Sequence, residues 1–415
     1  MIFDSESVFE DNVITVLKQH GWKDGVLRYP TEQDLLDNWK GILYRNNNDI
    51  DRLGKYPLTD GEMAQIIEQI ETLRTPLALN SFVNGRTVSI TRDDKEDVAH
   101  FGKEISLYIY DRKEIAGGKS TYQIAQQPVY PAKNKMLNSR RGDLVLLING
   151  MPLIHIELKK SGIPVSQATN QIEKYTHEGV FTGLFRLVQI FVAMNPDDAV
   201  YFANPGVDKF NPSYYFHWAD YNNEPICGGQ NPGKDEWKLF IGGTSGTAGL
   251  LSIPMAHQLI GFYTIADSAD GCLKVLRSYQ YIAANAISDV VRKCDWEQRP
   301  TTPGRPGGYV WHTTGSGKTM TSFKSAQLIA DSHDADKVVF LMDRIELGTQ
   351  SLKEYRSFAD SETEVQGTEN TGVLRDKLNS TNVNDTLIVT SIQKMSNVKT
   401  GERGVTQTWL DQLAE

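Results

Sequence analysis

Apolar and polar positions alternate along this chain with a changing period, and the period separates its elements. Near the start, Phe9, Val13, Val16 and Leu17 recur at helical spacing, Ser7 and Glu10 are placed as a capping box, and Gly21 follows as a stop. This predicts an amphipathic first helix. Residues 31–100 are mixed and polar and give no clear order. Over 104–130 the pattern shortens toward strands, most clearly at 105–110. Residues 144–148 are all apolar, Asn149-Gly150 is a favoured tight-turn dipeptide, and 153–158 resume the run, which predicts a β-hairpin. A helix is expected after Pro164, carrying Ala168, Gln171, Ile172 and Tyr175, with another apolar strand at 187–194. The stretch 203–250 is rich in Gly, Asn and Pro. Its end places a domain boundary, giving domains 1–245 and 246–415. Beyond it come a helix at 272–294, a loop at 299–308, a short strand at 309–311 and a glycine-rich loop. A helix to 330, a strand at 338–342, a helix at 345–358 and a strand at 386–390 complete the pattern. Strands alternating with helices predict a parallel sheet covered on both faces.

Composition changes this picture little. The 415 residues are enough for two or more domains, and 40% hydrophobic with 23% charged residues is ordinary for a globular protein. The net charge of −9 does not advertise nucleic-acid binding, although a local basic groove is sufficient for it. Cys227, Cys272 and Cys294 have no zinc spacing and read as reduced thiols, pointing to the cytoplasm. The eight histidines are scattered, the acidic N-terminus is not a signal peptide, and no apolar run approaches the roughly 20 residues that cross a membrane.

Two sets of residues carry chemistry. Asp143 sits at the mouth of the expected hairpin, and Glu157 and Lys159 are two apart on one strand, hence on one face. Two carboxylates so placed can hold Mg²⁺, which activates water and neutralises a phosphodiester. Lys159 would orient or deprotonate the water, or stabilise the phosphate oxyanion. A Glu-x-Lys triplet alone also suits an exposed strand face. Here the pair interrupts an apolar run, and a basic cluster of Lys133, Lys135, Arg140 and Arg141 lies just upstream, fit either for phosphates or for a solvated loop.

The second set is His312-Thr313-Thr314-Gly315-Ser316-Gly317-Lys318-Thr319, between an expected strand and an expected helix. Backbone amides and a helix N-terminus cradle phosphates in such loops. Lys318 would reach the β- and γ-phosphates of ATP, and Thr319 would ligate Mg²⁺.

Asp143, Glu157 and Lys159 resemble the PD-(D/E)xK nuclease pattern, with Gly142 where that pattern has proline. Gln171 and Tyr175, four apart on a helix face, resemble the accessory motif of its RecB-like branch, and Tyr175 alone would also suit a core edge. The resemblance implies metal contact from an acidic residue of the first helix. Glu10 is the candidate, with helix capping as its other reading. Thr314, Gly315, Ser316, Gly317, Lys318 and Thr319 resemble the phosphate loop of superfamily-2 helicases and translocases, despite His312 where a small residue is usual. By the same resemblance Gln280 reads adenine. Asp343-Arg344 with Gln350 resembles one DNA-backbone motif, and Thr390 to Gln393 a second, so Arg344 and Gln393 join Arg140 and Arg141 as DNA-binding candidates.

A RecB-like nuclease followed by such a motor resembles the restriction (motor) subunit of type I restriction–modification enzymes. The expected fold is α/β: a mixed-sheet nuclease domain and a partial RecA-like motor lobe with a parallel sheet. The resemblance implies Mg²⁺-dependent cleavage of double-stranded DNA, ATP-driven translocation, and assembly with methyltransferase and specificity subunits. No Asp-Glu-x-His motif follows Thr319, so the chain is expected to be an N-terminal piece of a longer subunit that binds ATP without turning it over. Two other readings stay open: a nuclease–helicase of another defence or repair system, and a non-catalytic DNA-tethering or nucleotide-sensing module.

Overall fold

The structure, a computed structural model, describes residues 2–131, 140–207, 209–229, 235–293, 307–342, 345–359 and 364–398, with no side chains described for 345–349. The chain divides into two compact units, residues 1–266 with 271–278, and 267–270 with 279–415. The first therefore extends past residue 245.

The first unit opens with α1 (Glu6–Gln19), β1 (Val26–Arg28), α2 (Glu32–Asn46), α3 (Asp60–Thr72) and α4 (Pro76–Asn84). The hairpin β2 (Thr87–Thr91) and β3 (Glu104–Tyr108) follows, then β4 (Tyr122–Gln126), β5 (Val129–Tyr130), β6 (Arg140–Arg141), β7 (Leu144–Ile148) and β8 (Met151–Leu158). After α5 (Val165–His177) come β9 (Ile190–Met194), β10 (Ala199–Ala203), α6 (Glu236–Gly242), α7 (Ile253–Gly261), β11 (Thr264–Asp267) and β12 (Cys272–Val275). Six strands form one mixed sheet in the order β1-β4-β7-β8-β9-β10. β1–β4 and β8–β9 pair in parallel, and the other neighbours are antiparallel. Every residue of β7, β8, β9 and β10 is buried. Strands covered on both faces read as near-continuous apolar runs, which is why β7, β8 and β9 were legible; β10 was not anticipated. Asn149 and Gly150 take φ of 53° and 84°, the mirror-image turn that matches strand twist. On one face α5 packs over β8 and β9, joining Ala168 and Ile172 to Phe191, Ala193 and Phe202.

Three expectations are corrected here. The cap of α1 is Ser5, whose side chain accepts the Val8 N–H; Ser7 lies inside the first turn, and Glu10 is turned into the protein. The helix expected at 272–294 is β12 followed by α8 (Ser278–Lys293), because Cys272–Val275 pairs with β11 across a turn that includes Gly271 at φ 67°. Residues 31–100, unordered in the sequence reading, hold three helices, two of them with full capping boxes at Thr31/Asp34 and Thr59/Glu62.

The second unit contains α8, α9 (Lys318–Ser332), β13 (Val338–Met342), α10 (Ile345–Phe358), β14 (Val365–Gly367), α11 (Thr371–Asn379), β15 (Leu387–Ser391) and α12 (Ile392–Ser396). Its sheet, β13-β15-β14, is wholly parallel. The strand expected at 309–311 does not form. Tyr309 and Trp311 are 89% and 87% exposed, and no strand among the described residues pairs with them. Among the described residues no helix is long and apolar enough to cross a membrane.

Candidate functional site

β7 and β8 bring the three motif residues together. Leu144 pairs with Ile156, so Asp143 lies beside the end of β8, and its Oδ2 accepts the Leu158 N–H at 2.6 Å. His155, Glu157 and Lys159 alternate onto one face. Glu157 is fully buried. Lys159 Nζ lies 3.5 Å from Glu157 Oε1, donates to the Leu158 carbonyl at 2.8 Å, and stands 3.7 Å from Glu6 Oε1. His155 Nε2 lies 3.4 Å from Glu157 Oε2. Neither Glu157 oxygen accepts a hydrogen bond of normal geometry among the described residues. A buried acceptor left in that state costs free energy unless something occupies it.

The electrostatics agree with the burial. Desolvation pushes Glu157 up to about 8, against the opposing pull of Lys159. Asp143 is held well above the ordinary carboxylate range, first by burial and then by the Glu157 charge beside it. Two carboxyls this close cannot both ionise cheaply without a cation. Burial also lowers His155 to about 4, so its imidazole is neutral.

Two helices complete the site. From α1, Glu10 is buried, accepts from Gln126 Nε2 at 2.6 Å and Gln127 Nε2 at 3.2 Å, is raised by desolvation, and itself raises Asp143. From α5, Gln171 Nε2 donates to Tyr175 Oη at 2.7 Å, and that hydroxyl donates to the Arg141 carbonyl at 2.9 Å. Tyr175 is pushed up to about 12 by burial and then by Glu157. Gln171, Tyr175 and Arg140 line a cleft of about 350 Å³.

The basic candidates divide. Arg140 is clamped bidentately on Glu178, with two 2.9 Å bonds. Arg141 is exposed, its guanidinium 5.7 Å from the Tyr29 ring. Lys133 and Lys135 lie outside the described residues, as does Arg344. Gln393 is exposed in the first turn of α12, which Ser391 caps. Sequence reasoning missed Glu6, Gln126, Gln127, Tyr130 and His155. His155 had one signal, a lone polar side chain inside an apolar strand; the others carried none.

In the second unit, Gly315 and Gly317 take φ of 79° and 82°, and α9 begins at Lys318. Lys318 Nζ donates to the Thr313 carbonyl at 3.0 Å, and Ser316 Oγ does so at 2.7 Å. Thr314 is exposed and Thr319 half-buried in the first turn of α9. Gln280 is placed by α8 with its Nε2 donating to the Ser316 carbonyl at 3.2 Å, and Tyr279 Oη donates to the same carbonyl at 2.8 Å. The loop is thus preshaped, with its lysine at the helix N-terminus where phosphate charge is favoured.

The sequence was compared with known proteins. Residues 4–210 match the family model for the Type I restriction enzyme R protein N terminus, and residues 279–412 match that for the SWI2/SNF2 ATPase. Among similar proteins is the type I restriction enzyme SsaAORF53P endonuclease subunit of Staphylococcus saprophyticus. It is 32% identical over 402 residues, covering 95% of this chain and 37% of the relative. The SauCOLORF180P endonuclease subunit of Staphylococcus aureus strain COL is 33% identical over the same coverage. The EcoprrI endonuclease subunit of Escherichia coli is 26% identical over 343 residues, 75% of this chain and 99% of the relative. The chain thus spans 37% of the length of the staphylococcal relatives. It matches, in order, an R-protein N-terminal region and a SWI2/SNF2 ATPase region, and it is similar over 95% of its length to type I restriction enzyme endonuclease subunits.

Proposed function

We propose that this chain carries the nuclease centre and the nucleotide-binding loop of a cytoplasmic type I restriction endonuclease that cleaves double-stranded DNA. The observation that carries the nuclease reading is Glu157: a fully buried carboxyl whose oxygens accept no hydrogen bond of normal geometry among the described residues, beside a second carboxyl and a lysine. The donor set is all oxygen, which suits Mg²⁺. Among the described residues no group of three or more His, Cys, Asp or Glu side chains is placed to hold a metal ion by itself, and Mg²⁺ is commonly held by one or two carboxylates with water completing its shell. Asp143 and Glu157 would hold the ion. Bound there, it supplies charge neutralisation on the scissile phosphate and an acidified water.

The remaining chemistry belongs to the chain. Lys159 brings a positive charge to the edge of the carboxylate pair, where it holds a phosphate oxygen or orients the attacking water. Tyr175 and Gln171 fix the backbone at Arg141, two residues from Asp143, and so hold that carboxylate in place. Glu10, presented by Gln126 and Gln127, adds acidic character facing Asp143. Arg141 and Gln393, with Arg140 held on Glu178, are the described candidates for DNA contact. In the nucleotide loop, Lys318, now on the Thr313 carbonyl, would hold the β- and γ-phosphates of ATP, Thr319 would hold Mg²⁺, and Gln280 would read the adenine. ATP-driven translocation and assembly with methyltransferase and specificity subunits are assigned to the full-length protein. The test is Asp143→Ala and Glu157→Ala in the reconstituted enzyme. Cleavage should be lost while DNA-stimulated ATPase activity persists, and equal loss of both would reject the assignment.

A further inference from the structure

One side chain beside the carboxylate pair has no part in that chemistry. His155 is fully buried on β8, two residues before Glu157 and on the same face. Its Nδ1 lies 2.9 Å from Tyr130 Oη. Among the described residues its Nε2 has no hydrogen bond of normal geometry, and it lies 3.4 Å from Glu157 Oε2. The ring is boxed by Phe181 at 5.4 Å, Phe191 at 6.0 Å, Tyr130 at 6.2 Å and Tyr175 at 6.5 Å between centroids, so it cannot swing away.

The chemistry of the neighbours assigns the tautomer. A carboxylate that ligates a cation has no proton to give, so the nitrogen facing Glu157 must carry one. Nδ1 is then the acceptor, and the Tyr130 hydroxyl donates to it. The backbone is cut to fit this pair. A Cβ at position 142 would collide with Tyr130 Oη and lie 2.9 Å from His155 Cε1. That explains why the residue before Asp143 is Gly142, where the nuclease pattern has proline.

We propose that His155, fixed by Tyr130, is a positioning residue that donates to Glu157 Oε2 and so aims the other Glu157 oxygen at the metal. The proposal rests on the reading that Asp143 and Glu157 hold the ion. Partners of this kind orient ligating side chains, and losing one typically weakens metal binding about 10- to 100-fold.

The test is isothermal titration of the 415-residue chain with Mn²⁺, without nucleotide, for wild type, His155→Phe, His155→Gln and Glu157→Gln. Phenylalanine keeps a ring in the aromatic box and removes the donor. Glutamine places an N–H two atoms beyond Cγ, where the imidazole Nε2–H stands. The expected result is that Glu157→Gln abolishes the site and His155→Phe weakens it at least about tenfold, while His155→Gln stays close to wild type. If Glu157→Gln abolishes binding but His155→Phe does not change it, the positioning role is overturned and the metal reading stands. Equal weakening in His155→Phe and His155→Gln also overturns it, since packing and not the donor is then responsible. Wild-type binding in Glu157→Gln overturns both.

Discussion

Replacing Glu157 by glutamine should make the metal-free protein more stable, and only above the acid range. In the unfolded chain this carboxyl ionises near 4.5; buried in the fold it does so at about 8. A folded-state pKa raised above the unfolded value contributes stability that is fully present below about 4.5 and is lost as pH rises through about 8. At pH 7 the unfolded side chain is ionised and the folded one is mostly neutral. The gap from 4.5 to 7, at about 1.4 kcal/mol per pH step, costs the fold about 3 kcal/mol. Glu157 is fully buried, so solvent screening does not reduce this. The Asp143 carboxyl beside it shares the titration, and the pair should be followed as one system. Glu157→Gln is neutral at every pH and removes the cost. Thermal melting of the 415-residue chain in EDTA should give equal midpoints for the two proteins near pH 4.5. At pH 7 the variant should melt higher by roughly 5–10 °C, the shift about 3 kcal/mol produces in a domain of this size. Adding Mg²⁺ at pH 7 should raise wild type alone, because only it gains ligand-binding energy. A midpoint difference independent of pH would refute the argument from buried charge.

Three further outcomes are expected. Arg92 is fully buried with Glu62 at 2.7 Å and Asp97 at 3.1 Å, so Arg92→Leu strands two buried carboxylates and should cost about 3–5 kcal/mol in urea unfolding, without changing nucleotide binding. Gly142→Ala crowds Tyr130 and His155 and should cost about 1–3 kcal/mol, with part of the loss recovered in Gly142→Ala/Tyr130→Phe; a neutral Gly142→Ala in the same assay would contradict the close approach. Lys318→Ala should abolish binding of a fluorescent ATP analogue to this chain and leave Mn²⁺ binding at Glu157 intact, whereas loss of both would indicate global misfolding.

What the sequence disclosed was local in origin. The β7–β8 hairpin was readable because a two-residue turn and two largely apolar runs are encoded side by side. α5 and α10 were readable from helical spacing. α2 and α3 were missed although Thr31/Asp34 and Thr59/Glu62 mark their starts and Leu35, Trp39 and Ile42, or Met63, Ile66 and Ile70, form their stripes; frequent polar positions hid narrow apolar faces. Cys272–Val275 was absorbed into the following helix because a four-residue strand is too short for either period to declare itself. The Asp143, Glu157 and Lys159 set is held in 17 residues and a hairpin, and so was legible. His155 reaches Tyr130 only through the sheet, and Glu6 reaches Lys159 only through the docking of α1, so no local pattern announces either.

That docking also bears on the order in which the protein is made. α1 is synthesised first, yet Glu10 finds Gln126 across 116 residues, and the Phe3 N–H finds Ser161 Oγ across 158. Contacts this distant must absorb their loop-closure entropy before they return any energy, so they form late. On the ribosome, α1 cannot complete its docking until β8 and the turn after it have emerged. The acidic helix and the Asp143 hairpin are thus held apart by the sequence of synthesis itself, and a nascent chain that stops short of Ser161 carries the acidic residues of the centre before α5 and the Ser161 anchor of α1 exist.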